Sequence, residues 1–155
     1  MLNNKDLLSI NELSKNEIIY ILNNANKYHH DNKITAKKKV LNNFTQINLF
    51  FENSTRTQVS FEIAGTLLGA NVVNFPFNNS SQSKGETLLD LAATLNSMNP
   101  DILVIRHPNS GAVQLISEKV DCPVVNAGDG NHEHPTQALL DILTLKKRIG
   151  RIDNL

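Results

Sequence analysis

A chain of 155 residues with 15 Lys+Arg against 15 Asp+Glu carries no formal net charge. Nothing in that balance favours nucleic acid or an acidic membrane surface, which call for a basic patch. The length suits one domain, and a domain of this size buries about 70% of its unfolded surface, so it needs no disulfide or metal staple.

The lone cysteine, Cys122, leaves no internal disulfide. Placed before Pro123 at the start of an apolar run, it reads as buried filler. No apolar run approaches the roughly 20 residues of a membrane span, and the N-terminus is too polar for a signal peptide. The expected setting is therefore reducing and cytoplasmic. Lys37-Lys38-Lys39 and Lys146-Lys147-Arg148 read as a solvated face or a helix C-terminal turn.

Two S-x-x-E patterns, Ser9 to Glu12 and Ser14 to Glu17, read as capping boxes. The second opens a helix with a stripe of Ile18, Ile19, Ile21, Leu22 and Ala25 that fades near Tyr28-His29-His30. At a helix end His29 and His30 are expected to be exposed and to complement the dipole rather than to hold a metal. Residues 31–44 are polar and lysine-rich, a surface connection.

The rhythm then becomes regular. Residues 47–52 predict a buried strand, and residues 54–69 a helix with Val59, Ile63 and Leu67 in phase and Gly69 as its stop. Residues 71–75 predict a second strand and 76–86 a polar loop with only Phe77 apolar. Residues 87–98 predict a helix with Leu88, Leu91, Ala92, Leu95 and Met98 inward. Residues 101–106 predict a strand buried on both faces, 110–120 a short helix and 123–126 a fourth strand. Pro135 suits the first turn of a last helix, with Ala138, Leu139, Ile142 and Leu143 on its inner side. Alternating strands and helices imply an α/β single domain: an open four-stranded parallel sheet with helices on both faces.

In such sheets ligands bind outside the carboxyl ends of the strands. The first strand is followed by Ser54-Thr55-Arg56-Thr57, the second by Asn78 to Glu86 with Ser80, Ser83 and Lys84. The third is followed by Arg106-His107-Pro108, and the fourth by Ala127-Gly128-Asp129-Gly130 leading to His132-Glu133-His134-Pro135-Thr136-Gln137. The hydroxyls and guanidinium of residues 54–57, set where a strand ends and a helix begins, make a socket for a phosphate-like anion. The collected set holds arginines, a lysine, hydroxyls, an imidazole and an amide, but no nucleophile paired with a base. His132, Glu133 and His134 do not make a metal set without a further ligand, so neither metal nor cofactor is expected. Such a cationic site suits a phosphorylated substrate whose reaction builds up negative charge, with an arginine and an imidazole polarising a carbonyl. Asp90 and Asp141 read as structural.

The phrase Phe50-x-Glu52-x-Ser54-Thr55-Arg56-Thr57 resembles the signature of the aspartate and ornithine carbamoyltransferases. Nearly the whole chain resembles their carbamoyl-phosphate-binding half. Arg106-His107-Pro108, Asn126-Ala127-Gly128-Asp129-Gly130 with His134-Pro135-Thr136-Gln137, and Ser83-Lys84-Gly85-Glu86-Thr87 are similar to the aspartate branch; ornithine enzymes usually have a cysteine where Thr136 stands. The resemblance implies that Ser54, Thr55, Arg56 and Thr57 hold the phosphate of carbamoyl phosphate. It implies that Arg106, His134 and Thr55 contact the carbonyl oxygen and Gln137 the amino group. It also implies that Ser80 and Lys84 reach a neighbouring subunit's site in a homotrimer.

The implied reaction is attack by the amine of L-aspartate on the carbonyl carbon, expelling phosphate. Ser83 departs from a second basic residue often found there. Residues 151–155 fall about where, by the resemblance, a bridging helix ends and an aspartate-binding second domain begins. The expectation is therefore carbamoyl phosphate or phosphate binding with weak or absent turnover. Two other readings stay open: a carbamoyltransferase acting on ornithine or another amine, and a non-catalytic anion-binding or assembly domain.

Overall fold

The computed structural model describes residues 2–30, 40–75 and 87–151. The elements are α1 (Lys15–His30), β1 (Thr45–Phe50), α2 (Thr55–Leu68), β2 (Asn71–Phe75), α3 (Leu88–Ser97), β3 (Ile102–His107), α4 (Ala112–Ser117), β4 (Val124–Asp129) and α5 (Pro135–Ile149). The four strands form one sheet in the order β2-β1-β3-β4, and every pair is parallel. Strand β2 lies on one side of β1 and β3 on the other, so the winding reverses between β1 and β3. The crevice at their carboxyl ends is where such sheets take ligands.

The sheet's two faces differ. Ile47, Leu49, Leu103, Ile105 and Val124 point to one side. There they pack with Leu91, Ala92 and Leu95 of α3, Val113 and Ile116 of α4, Val120 and Cys122. This is the larger core, and it contains the cysteine where the sequence places it. Phe50, Val104 and Ala127 form a smaller cluster on the other side with Phe61 of α2 and Val125. Because strand side chains alternate, Gln46 and Asn48 also point to this second side, and both are buried.

A chain of amide hydrogen bonds makes that burial tolerable. Gln46 Nε2 donates to Asn48 Oδ1 (2.8 Å) and to the Phe61 carbonyl (3.1 Å). Asn48 Nδ2 donates to Asn74 Oδ1 (2.9 Å), and Asn74 Nδ2 to Glu62 Oε2 (2.8 Å). The ladder thus joins β1, β2 and α2. A Cβ on Gly65 would overlap the Gln46 amide and lie 2.8 Å from Val72 Cγ2, so glycine lets α2 sit this close to the sheet.

The periodicity of α2 gives its length but not its inner face. Val59, Ile63 and Leu67 are 44%, 54% and 49% exposed, and the sheet side carries Phe61, Glu62 and Gly65 instead. The buried partner is a polar ladder, so the apolar row turns away from it. Met98 likewise is 53% exposed, because α3 ends at Ser97 and Met98 is only its cap; Leu88, Leu91, Ala92 and Leu95 do face the core.

Helix starts explain several boundaries. Ser14 and Glu17 form the expected reciprocal box: Glu17 Oε2 accepts from the Ser14 hydroxyl (2.7 Å) and backbone N–H (2.9 Å). The Ser14 hydroxyl, the Asn3 N–H and the Ser14 N–H hold the Glu17 carboxyl down to about 2. Thr87 and Asp90 cap α3 in the same way, giving Asp90 its structural role. The first S-x-x-E is different. It makes only a 3-10 turn, Ile10–Glu12, because extended backbone at Leu13 stops it, and the Ser9 hydroxyl accepts from the Asn11 N–H instead.

Strand β1 lies two residues earlier than the sequence suggests. Pairing with β3 ends at Phe50 opposite Arg106, which leaves Glu52 beyond the sheet. Strand β4 runs further than expected, through Ala127-Gly128-Asp129, because Asp129 pairs with His107 across a bulge. Gly69 ends α2 in the left-handed conformation (φ 92°), and Pro135 starts α5. Lys146, Lys147 and Arg148 occupy the last turn of α5. No helix among the described residues is long and apolar enough to cross a membrane. The expectations for the side chains of His29 and His30, for residues 31–39 and for the loop 76–86 lie outside the described residues.

Candidate functional site

Two helices begin at the crevice between β1 and β3, and neither is capped by its own side chain. Ser54 precedes α2 with φ −140° and ψ 71°, His134 precedes α5 with φ −145° and ψ 72°, and neither makes a side-chain cap bond. The contrast with the full boxes on α1 and α3 matters physically. Orphan first-turn N–H groups and the positive ends of two helix dipoles are left for an external acceptor. Ser54 Oγ instead donates to Thr57 Oγ1 (3.0 Å).

A cavity of about 620 Å³ lies between these two starts, lined by Ser54, Arg56, Thr57, Ser60 and Phe61 from α2 and its approach. Arg106 lines it from β3, and His134, Thr136, Gln137 and Leu140 line it from α5 and its approach. Six of the residues singled out in the sequence therefore share one cavity. Thr55, at the first position of α2, is exposed and outside its wall. Ser80 and Lys84 lie outside the described residues.

Of the two arginines that line the cavity, Arg106 has partners on three sides. Its Nε donates to Glu52 Oε1 at 2.5 Å, and its Nη1 donates to the Ala127 carbonyl at 3.1 Å. The same Nη1 lies 3.4 Å from His134 Nε2. A guanidinium can only donate, so His134 accepts there and carries its ring proton on Nδ1, 3.4 Å from Thr136 Oγ1. Burial first, and the Arg106 charge second, push the His134 imidazole below its ordinary 6.5. Gly128 (φ 131°) makes room for this arginine, since a Cβ there would lie 2.7 Å from Nη1. Gln137 Nε2 donates to Asp141 Oδ1 (2.9 Å), which gives Asp141 its structural role.

His107 follows Arg106 into the interior. Its Nδ1 accepts from the Asn109 N–H (2.9 Å), and its ring lies 4.4 Å from that of Phe51 at 57°. Burial lowers its pKa too. After β4 the chain folds into a tight turn before His134. The Asp129 N–H donates to the Glu133 carbonyl, the His132 N–H to the Asp129 carbonyl and the Gly130 N–H to the His107 carbonyl, each at 2.9 Å. Asp129 Oδ2 accepts from the Gly111 N–H (2.9 Å) and lies 3.2 Å from His132 Nδ1. Among the described residues no three His, Cys, Asp or Glu side chains are placed to hold a metal ion.

Sequence reading did not assign roles to Glu52, Gly128, Ser60, Phe61 or Leu140. Glu52 was legible in one respect: parallel register puts the residue just past β1 beside the end of β3. Gly128 was legible only as a glycine, because the arginine it makes room for comes from another strand.

The family model described as aspartate/ornithine carbamoyltransferase, carbamoyl-P binding domain, matches residues 5–147. An aspartate carbamoyltransferase catalytic subunit from Azorhizobium caulinodans is 58% identical over 155 residues, 99% of this chain and 48% of its own length. One from Ruegeria pomeroyi is 57% identical over 152 residues, 97% of this chain and 49% of its own length. The chain thus spans about half the length of the curated relatives it matches. Among solved structures, the catalytic subunit of M. Jannaschii aspartate transcarbamoylase superposes with a TM-score of 0.88 at 40% identity, covering 98% of this chain and 50% of that one. Aspartate transcarbamoylase from Trypanosoma cruzi in complex with carbamoyl phosphate gives 0.88 at 39% identity, covering 96% and 48%. With the match running through both arginines and both uncapped helix starts, the chain belongs to the aspartate/ornithine carbamoyltransferase family, over its carbamoyl-P binding domain.

Proposed function

We propose that this chain binds carbamoyl phosphate in the cavity between α2 and α5 and is the carbamoyl-phosphate half of an aspartate carbamoyltransferase. The reaction gives N-carbamoyl-L-aspartate and phosphate, a step of de novo pyrimidine biosynthesis in the cytoplasm. One observation carries the reading: Arg56 and Arg106 share a cavity with two helix N-termini that lack side-chain caps. Such a place stabilises an anion such as a doubly charged phosphate ester. The likeness to a Trypanosoma cruzi enzyme described with carbamoyl phosphate, and with carbamoyl aspartate and phosphate, supports it.

In this reading Ser54, Thr55, Arg56 and Thr57 hold the phosphate, and Arg106, Thr55 and His134 contact the carbonyl oxygen. Gln137 contacts the amino group. The aspartate nitrogen attacks the carbonyl carbon, a C–N bond forms, and the C–O bond to phosphate breaks. The amine proton leaves with the phosphate, so no dedicated base, metal or cofactor is required. Each donor aimed at the developing oxyanion contributes roughly 3–4 kcal/mol to the transition state. The grip on aspartate falls to the part of the relatives this chain does not match. The 155-residue chain alone is expected to bind carbamoyl phosphate with little or no turnover.

Calorimetry with carbamoyl phosphate tests the site. The parent chain should release heat on binding, and Arg56→Ala should lose most of it, by about tenfold or more in affinity. Equal heats from both proteins would end the site assignment and leave a general anion-binding or assembly domain. The same reading makes the protein a homotrimer, with Ser80 and Lys84 reaching the neighbouring site. The exposed row Val59, Ile63 and Leu67 on α2 supports burial against another chain. Light scattering should give a mass near three chains; a monomer at high concentration would contradict the trimer.

A further inference from the structure

Two stretches of the sequence find no place in the reaction: the first S-x-x-E pattern, and the His132-Glu133 pair just before His134. They meet in the structure. Ser9 Oγ donates to Glu133 Oε1 at 2.8 Å across 124 residues of sequence. The same hydroxyl accepts from the Asn11 N–H at 3.0 Å, so both its donor and an acceptor site are used.

Ser9 is itself held firmly. The Leu7 N–H donates to the Val124 carbonyl and the Asn126 N–H to the Leu7 carbonyl, each at 2.9 Å, making a one-residue parallel bridge on the edge of β4. Asn126 Nδ2 donates to the Leu8 carbonyl, and the Val124 N–H to Asp6 Oδ1, each at 2.8 Å. Residues 6–9 are thus a strap along the outer edge of the sheet, ending at Ser9.

The other end of this contact is the residue before His134. The turn that delivers His134 is tied at its beginning by Asp129 and Gly130. At its far end Glu133 is held through its carbonyl by the Asp129 N–H and through its carboxylate by Ser9. Neither Ser9 nor Glu133 lines the cavity. We propose that Ser9 and Glu133 are positioning residues: the N-terminal strap latches the 129–133 turn and so sets the His134 ring against Arg106. The effect on ligand binding rests on the anion-site reading above; the effect on the ring does not.

The test uses Ser9→Ala, Glu133→Ala, their combination and Ser9→Thr in the 155-residue chain. One readout is the nitrogen and proton NMR signals of the His134 ring without ligand. The other is the affinity for inorganic phosphate. Both truncations should move the ring signals and weaken phosphate by about fivefold, the loss of one oriented hydrogen bond. The double variant should be no worse than either alone, because both remove the same bond. Ser9→Thr, which keeps the hydroxyl, should restore both readouts. His134 signals in Ser9→Ala that coincide with those of the parent would overturn the latch. Ring signals that move in a protein with no phosphate affinity would support the latch and count against the anion site. Should Glu133→Ala fail to fold, Ser9→Ala and Ser9→Thr decide the question between them.

Discussion

Arg106→Ala is expected to abolish useful binding of carbamoyl phosphate and of inorganic phosphate, by about a hundredfold or more. Three contacts are lost together: Glu52, the Ala127 carbonyl and His134. The loss exceeds that of a simple cation because the Glu52 carboxylate is then left without its partner beside an anion site, adding repulsion where there was attraction. Arg106→Lys should recover little, since one ammonium cannot reproduce a planar fork that meets three acceptors.

The variant carries a second signature. The Arg106 charge is the second cause, after burial, of the lowered His134 pKa. Without it the ring should titrate higher, nearer its ordinary 6.5. A histidine whose folded pKa is depressed binds fewer protons folded than unfolded just below that value, so it takes stability away as pH falls from about 6.5. That acid-side loss should shrink in Arg106→Ala. Calorimetry reads the first effect, and NMR titration of the ring the second. Unchanged phosphate binding would remove Arg106 from the site.

Asn48→Ala should be the costliest single change to stability, at about 3–4 kcal/mol. Asn48 is completely buried and stands in the middle of the ladder from Gln46 to Glu62. Its removal leaves a hole and takes the donor from Asn74 Oδ1 and an acceptor from Gln46 Nε2. For a domain of this size the melting temperature should fall by about 10 °C. Because α2 carries Arg56 and rests on this ladder, phosphate binding should weaken as well. A loss below about 1 kcal/mol in urea unfolding would mean that apolar contacts hold α2 and the ladder is slack.

The same ladder shows where the amino-acid sequence was legible and where it was not. Strand and helix order, the parallel sheet and the crevice all follow from local pattern and the physics of crossovers. So does the larger core: Leu91, Ala92 and Leu95 on α3 face the strand residues that their spacing indicates. The inner side of α2 does not follow. Val59, Ile63 and Leu67 are in phase along the helix, but the sheet surface beneath it is amide rather than hydrocarbon. Only pairing of β1 with β2, which brings Asn48 to Asn74, decides that. The site divides in the same way. Arg56, Arg106 and His134 could be gathered from the ends of strands. Glu52 as a partner of Arg106, Gly128 as its clearance and Ser9 as a tie on Glu133 depend on register between distant segments. No one-dimensional period reports that register.

Helices α1 and α3 complete their first turns with their own side chains; α2 and α5 do not. An anion bridging the latter two would therefore act as a shared bolt between elements far apart along the chain. Occupancy and local rigidity should rise together, and loss of ligand should loosen both helix starts in concert. An anion held there would be a structural component of its own site.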